Sequence, residues 1–157
     1  HGGEYFPSPV GEVNVVNKMK EVQAVIGGEG NGGIIVPDFH YGRDALIGIG
    51  LFLTHLAHSH KSIKQLRGNY PDYFISKNKI TLENTVDVND LFKKIKDKYK
   101  NNPINTDDGL KIEFDNDWVH LRTSNTEPIL RIYSESNFET TADNIAKKIM
   151  KDIHEAM

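Results

Sequence analysis

The stretch Leu121-Arg122-Thr123-Ser124-Asn125-Thr126-Glu127-Pro128 gathers the residue types that bind an oxyanion. Arg122 offers a planar fork of donors. Ser124, Asn125 and Thr126 add side-chain donors, and a tight turn can aim backbone N–H groups at the same point. Pro128 fixes its own φ and restricts Glu127, which stiffens the return of the chain. The same small polar residues also make an ordinary hairpin turn. His120 lies two residues before Arg122 on the same strand face, and Arg131 follows in the next apolar run. Both are candidate helpers at this loop or plain surface residues.

A second constellation is Gly28-Glu29-Gly30-Asn31-Gly32-Gly33. Its glycines let the backbone approach a ligand closely. Glu29 can accept hydrogen bonds from sugar hydroxyls, and Asn31 can both donate and accept. A carboxylate in the loop argues against a phosphate cradle, and the Gly-x-x-x-x-Gly-Lys-Ser/Thr pattern is absent. A flexible connection between two strands is the competing reading.

Other groupings carry less. His55 and His58 share a helix face and His60 follows, but no Cys or carboxylate accompanies them, so they read as solvated residues at a helix end. Asp115-Asn116-Asp117 has the look of a hard-cation cluster, yet most of a calcium loop is missing and a turn between strands explains it better. Ser59 sits between His58 and His60, but no Asp-rich metal loop accompanies it or any other Ser, so no activated nucleophile is read here. No metal site is assigned to this chain.

These loops need elements to hold them. Trp118 to Leu121 and Ile129 to Tyr133 alternate or are rich in β-branched and aromatic residues, which predicts two strands around the first loop. Upstream, Leu110, Ile112 and Phe114 alternate with charges and predict another. Tyr73 to Leu82 predicts a fourth. Asp87 can cap a helix burying Val88, Leu91, Phe92, Ile95 and Tyr99 on one face. A closing helix from about Thr140 buries Ala142, Ile145, Ala146, Ile149 and Ile153. Three or four antiparallel strands with two helices on one face make a small α+β domain over residues 71–157.

Residues 1–70 read as β/α units: a strand end at Glu4-Tyr5-Phe6, a helix over 12–21, and short strands at Ala24-Val25-Ile26 and Ile34-Ile35-Val36 flanking the glycine loop. Arg43 to His58 is apolar around most of its circumference and predicts a helix buried on several sides. Ser62-Ile63-Lys64-Gln65 is a capping box opening a short helix that stops near Gly68. Eleven of the 13 glycines fall within residues 1–50, so composition changes near Pro71.

Global properties narrow the partners. Net charge is −3 with both signs interspersed, so nothing suggests nucleic acid. The longest apolar run, Ala45 to Ala57, is too short to span a bilayer. There is no Cys, which excludes a disulfide scaffold. The opening His1-Gly2-Gly3-Glu4 has no signal-peptide pattern, and a cytoplasmic protein is expected.

Taken with their flanks, the two loops resemble those of the α-D-phosphohexomutases, the superfamily of phosphoglucomutase, phosphomannomutase and phosphoglucosamine mutase. Arg122-Thr123-Ser124-Asn125-Thr126-Glu127-Pro128 is similar to the phosphate-binding loop of the family's fourth domain. Gly28-Glu29-Gly30-Asn31-Gly32 is similar to the sugar-binding loop of its third. Pro9-Val10-Gly11-Glu12-Val13, Arg43-Asp44-Ala45 and Leu66-Arg67…Tyr70-Pro71 fit as well. In many members the sugar loop reads Gly-Glu-x-Ser-Gly-His, and here Asn31 and Gly33 stand at the Ser and His positions. The resemblance implies an incomplete α/β third domain over 1–70 and the fourth domain over 71–157. It implies phosphate binding by Arg122, Ser124, Asn125 and Thr126, and sugar binding by Gly28, Glu29, Gly30 and Asn31. For the parent it implies interconversion of hexose 1-phosphate and hexose 6-phosphate through a phosphoserine, a hexose 1,6-bisphosphate and Mg²⁺. The phosphoserine and Mg²⁺ motifs belong to the first two domains and do not occur here. The chain is therefore expected to be inactive alone, working with the N-terminal domains of its parent. The alternative is a free-standing, non-catalytic module that binds sugar phosphates.

Overall fold

The computed structural model describes residues 2–83, 86–124 and 126–157. They form two compact units, His1–Tyr70 and Pro71–Met157.

In the first unit helix α1 spans Glu12–Val22 and ends on Gln23 in the left-handed region. Its buried side chains Val15 and Met19 pack with Ile35 as the core of this unit. A two-residue hairpin follows, β1 (Gly27–Gly28) against β2 (Ile34–Ile35), antiparallel with Gly27 opposite Ile35. Helix α2 spans Ala45–Ser59, and Asp44 caps it by accepting from the N–H groups of Leu46 (2.8 Å) and Ile47 (3.0 Å). The Ile47 N–H, then the His40 ring 3.1 Å away, hold the Asp44 carboxyl below its ordinary pKa. Helix α3, Ile63–Arg67, opens with the complete Ser62–Gln65 capping box.

Three expectations for this unit are corrected. Residues 4–6 form no strand; Tyr5 is 85% exposed. Ala24-Val25-Ile26 is not the buried strand. Ala24 still bonds back to Met19 O as α1 closes, Val25 is 84% exposed, and pairing begins only at Gly27. Helix α2 forms where expected but buries no residue, and Leu46 is 80% exposed. A two-residue hairpin and a five-residue helix are too small to cover a helix that is apolar on several sides.

The second unit carries most of the core. Strands β3 (Phe74–Thr81), β4 (Ile104–Asn105), β5 (Leu110–Glu113), β6 (Trp118–Thr123) and β7 (Ile129–Ser136) form one antiparallel sheet in the order β3-β7-β6-β5-β4. This is one strand more than the three or four expected, because β4 is two residues long and has no periodicity to read. Helices α4 (Val88–Lys98) and α5 (Glu139–Ala156) cover one face, α5 lying against β3 and β7. Asp87 caps α4 through the N–H groups of Asn89 and Asp90. Leu91, Ile95, Leu110, Ile112, Val119, Leu121, Leu130, Ile132, Ile149 and Ile153 are all at most 2% exposed. Strict alternation on β6 and β7 leaves the opposite face open.

One buried acid ties the helices together. Asp152 on α5 accepts from Lys98 Nζ (2.6 Å) and from the Tyr99 hydroxyl (2.5 Å). Burial pushes its pKa up, but those two hydrogen bonds, with the charges of Lys98 and Lys148, outweigh it and leave the carboxyl below its ordinary value.

Candidate functional site

Arg122 is a strand residue: β6 runs two positions further than the apolar pattern suggested, to Thr123. That extension gives it a fixed cross-strand partner. Arg122 stands opposite Arg131, Leu121 opposite Ile132, and His120 opposite Tyr133. By alternation His120, Arg122 and Ser124 share the open face with Arg131 and Tyr133. Two like charges directly opposite on a sheet repel, so this pair costs stability except where a neighbouring acid offsets it.

Arg122 is partly engaged. Its Nε lies 3.0 Å from Asp108 Oδ1, with the two side chains 30% and 23% exposed. His120 Nε2 lies 2.5 Å from the Asp108 carbonyl oxygen. The turn holding Asp108 is therefore fixed from two strand positions, and it fixes Arg122 in return. Gly109 makes that turn fit: its φ is +80°, and a Cβ there would sit 2.3 Å from Leu121 O. Arg131 has no hydrogen bond or ion pair among the described residues.

Past β6 the loop turns tightly. Ser124 N–H donates to Ile129 O (3.0 Å), and Ile129 N–H donates to Glu127 O (2.8 Å). The hydroxyls of Ser124 and Thr126 are 3.3 Å apart, close to the end of the strand that carries Arg122. Leu82 N–H donates to Pro128 O (2.8 Å), tying the loop to the strand beyond β7. Asn125, the fourth expected phosphate ligand, lies outside the described residues.

In the first unit the glycine loop is a tight hairpin tip. Glu29 N–H donates to Gly33 O (3.1 Å), and Gly32 N–H donates to Glu29 O (3.0 Å). Gly33 N–H donates to Asn31 Oδ1 (3.0 Å), so the Asn31 side-chain carbonyl shapes the loop. A Cβ on Gly28 would meet Gly33 O at 2.3 Å, so the hairpin closes this tightly only with glycine there. The Glu29 carboxylate is half-buried and has no partner among the described residues. Together with Gly28, Gly30 and Asn31 it lines a cleft of about 770 Å³ whose other wall includes Tyr5, Phe6 and Met19.

Sequence reasoning missed two residues. Asp108 sits in a turn with no motif to mark it. Arg43, read only as a helix start, lies against the glycine loop: its Cδ is 2.7 Å from where a Gly33 Cβ would be, and its Nε is held by Glu12 at 2.8 Å.

The sequence matches two family models. Residues 1–74 match "Phosphoglucomutase/phosphomannomutase, alpha/beta/alpha domain III", and residues 79–152 match the C-terminal domain of the same family. The chain belongs to the phosphoglucomutase/phosphomannomutase family. A phosphoglucosamine/phosphogalactosamine mutase of Sulfurisphaera tokodaii is 34% identical, over 90% of this chain and 32% of that protein. A phosphoglucomutase/phosphomannomutase of Thermococcus kodakarensis is 35% identical, over 100% of this chain and 34% of that protein. The chain thus spans about a third of the length of these relatives. A solved phosphoglucomutase/phosphomannomutase family protein of Burkholderia thailandensis has the same fold, with a TM-score of 0.71 over 94% of this chain and 31% of that one, at 22% identity.

Mg²⁺ chemistry accompanies this family, but these residues do not fit the ion. Among the described residues no group of three or more His, Cys, Asp or Glu side chains could hold a metal, and His55, His58 and His60 make no such group. Among them, too, no helix is long and apolar enough to cross a membrane.

Proposed function

We propose that this chain supplies the sugar- and phosphate-binding surfaces of a phosphohexomutase that interconverts hexose 1-phosphate and hexose 6-phosphate, of the phosphoglucosamine or phosphomannose type. In this reading residues 1–70 are the later part of the third domain and residues 71–157 the fourth. The observation that carries it is the opposed pair Arg122 and Arg131 beside the Ser124 and Thr126 hydroxyls. A sheet does not set two guanidinium groups face to face for stability. A phosphate monoester supplies the missing negative charge and the acceptors for both forks. Arg122, Ser124, Asn125 and Thr126, helped by His120 and Arg131, clamp the phosphate that is not reacting. Glu29, with Gly28, Gly30 and Asn31, takes the sugar hydroxyls.

The chemistry asks for a clamp that accepts either end of a hexose 1,6-bisphosphate, because the intermediate turns over between half-reactions. The phosphoserine that gives and regains the phosphoryl group, and the Mg²⁺ that stabilises charge in transfer, belong to other domains of a cytosolic parent. We read no serine among the described residues as poised for that role: Ser59, between His58 and His60, has its Oγ donating to Leu56 O (2.8 Å) within its own helix. Ser76 Oγ donates to Asp143 (2.5 Å) between β3 and α5, and Ser134 Oγ donates to Ala142 O (2.7 Å), so both hydroxyls are committed to structural acceptors. The chain by itself binds and does not turn over.

Two measurements test this. Titrating a hexose phosphate into isotopically labelled chain should move amides at residues 122–126, and Arg122→Ala should weaken binding by about one to two orders of magnitude, as for a lost charge-assisted pair of roughly 1.5–3 kcal/mol. A coupled assay with Mg²⁺, hexose 1-phosphate and catalytic 1,6-bisphosphate should show no turnover by the chain alone. Turnover that survives repurification and vanishes in Ser124→Ala would overturn the reading. Binding without turnover when joined to the parent's other domains would favour a non-catalytic module.

A further inference from the structure

The open face of the second unit carries a third cation in the same row as the two arginines. Register places Lys79 of β3 directly opposite Arg131 of β7, and Arg131 directly opposite Arg122 of β6. All three alternate with buried neighbours, Ile80, Leu130 and Leu121, so all three point to the open side. Adjacent strands lie about 4.8 Å apart, so the row spans roughly 10 Å of backbone, and a group seated over Arg131 is within reach of both neighbours' long side chains. Lys79 is exposed and has no hydrogen bond or ion pair among the described residues. Apart from Asp108, which pairs with Arg122, the acids Glu135 and Glu113 on this face sit in another row and are engaged: Glu135 accepts from Trp118 Nε1 (2.9 Å), and Glu113 pairs with Lys111 (2.7 Å).

We propose that Lys79 is a third ligand of the clamp and sets its preference for a dianionic phosphate monoester over monoanions. This rests on the phosphate-binding reading above. The charge count carries it. Arg122 is offset by Asp108 at 3.0 Å, so the two arginines with that acid present a net charge of about one. A phosphate monoester carries close to two negative charges at neutral pH. Lys79 makes up the difference, and as a compact ammonium on a flexible stem it supplies a point charge rather than a geometric fork. Arg122 and Arg131 then fix where the phosphate sits, and Lys79 selects for its charge.

The test compares methyl phosphate, a dianion near neutral pH, with dimethyl phosphate, a monoanion, by titration of the 157-residue chain at low salt and pH 7.5. The wild-type chain should favour methyl phosphate. Lys79→Gln should reduce that preference about three- to tenfold, the scale of one partly screened charge, because the dianion loses about twice the attraction that the monoanion loses. Lys79→Arg should restore the preference. Lys77→Gln, one row away on the same strand face, should leave it intact. An unchanged preference in Lys79→Gln, with methyl phosphate binding lost in Arg122→Gln, overturns this inference alone and makes Lys79 an edge-strand lysine that discourages strand pairing. Unchanged binding in Arg122→Gln overturns the phosphate reading itself.

Discussion

Replacing Arg131 by Gln should weaken phosphate binding while leaving the free protein as stable or more stable. Directly opposed residues on a sheet have Cβ atoms about 5 Å apart, which puts two extended guanidinium centres at roughly 6–7 Å. With an effective dielectric between about 40 and 80, their repulsion is at most about 0.6–1.4 kcal/mol, reduced by the attraction of Arg131 to Asp108 beside Arg122. Gln keeps much of the side chain's packing and returns most of that energy, offset by a few tenths for the shortened stem. In a unit of this size 1 kcal/mol moves the melting temperature by about 4–8 °C, so the variant should melt between zero and about 5 °C higher. At 1 M salt, where screening acts over about 3 Å, the gain should disappear. Phosphate should have the opposite effect. Saturation at 100 times Kd stabilises a folded protein by about 2.7 kcal/mol, and the variant should need roughly ten to a hundred times more phosphate for the same shift. Melting curves over a phosphate series, at low and high salt, measure both. A variant that melts more than about 5 °C lower and keeps its phosphate response would show that Arg131 is a structural residue, and the argument from opposed charges would fail.

Three further outcomes follow from the geometry. Gly109→Ala must place its Cβ 2.3 Å from Leu121 O at a φ of +80°, so it should cost about 1–3 kcal/mol in a denaturant melt and, by shifting Asp108, weaken phosphate binding too. Asp152 is held below its ordinary pKa, so its contribution is present above the unfolded value near 4 and is lost as pH falls through the folded one; Asp152→Asn should therefore be less stable at pH 7 by about 1–3 kcal/mol and show a flatter acid limb, and an unchanged limb would clear Asp152 of that role. In the full-length mutase proposed above, Glu29→Gln should lower turnover with little change in melting temperature, whereas a large loss of stability with normal activity would make Glu29 a structural anchor.

What could be read in the sequence was local. Ser62 with Gln65, and Asp87 before an amphipathic run, are cap signals a few residues long, and both caps form. Alternation along Trp118 to Leu121 gave the open face correctly because period two needs no partner to be seen. Pairing was not legible. Nothing in the sequence says that Arg122 faces Arg131 or that Lys79 joins them, since register depends on three separated segments meeting. Asp108 was missed for the same reason. Helix α2 shows a different limit: apolarity states what a helix would bury, and only the neighbours present decide what it does bury.

The two loops are held by different means, and the difference suits the reaction proposed. The glycine loop is shaped by its own hydrogen bonds, Glu29 to Gly33, Gly32 to Glu29 and Gly33 to Asn31, and presents one carboxylate. The proposed clamp is shaped by sheet register, with Arg122 pinned through Asp108 and Arg131 fixed by its strand above a core in which Leu121, Leu130 and Ile132 are fully buried. A substrate that must bind in two orientations keeps one group constant, its outer phosphate, and presents a different sugar edge each time. Rigid placement belongs where the ligand never changes, because preorganised donors lower the ordering cost of binding. A short hairpin tip with a single acceptor belongs where hydroxyls exchange places, because a carboxylate with several lone-pair sites can accept from either set without a fixed fork.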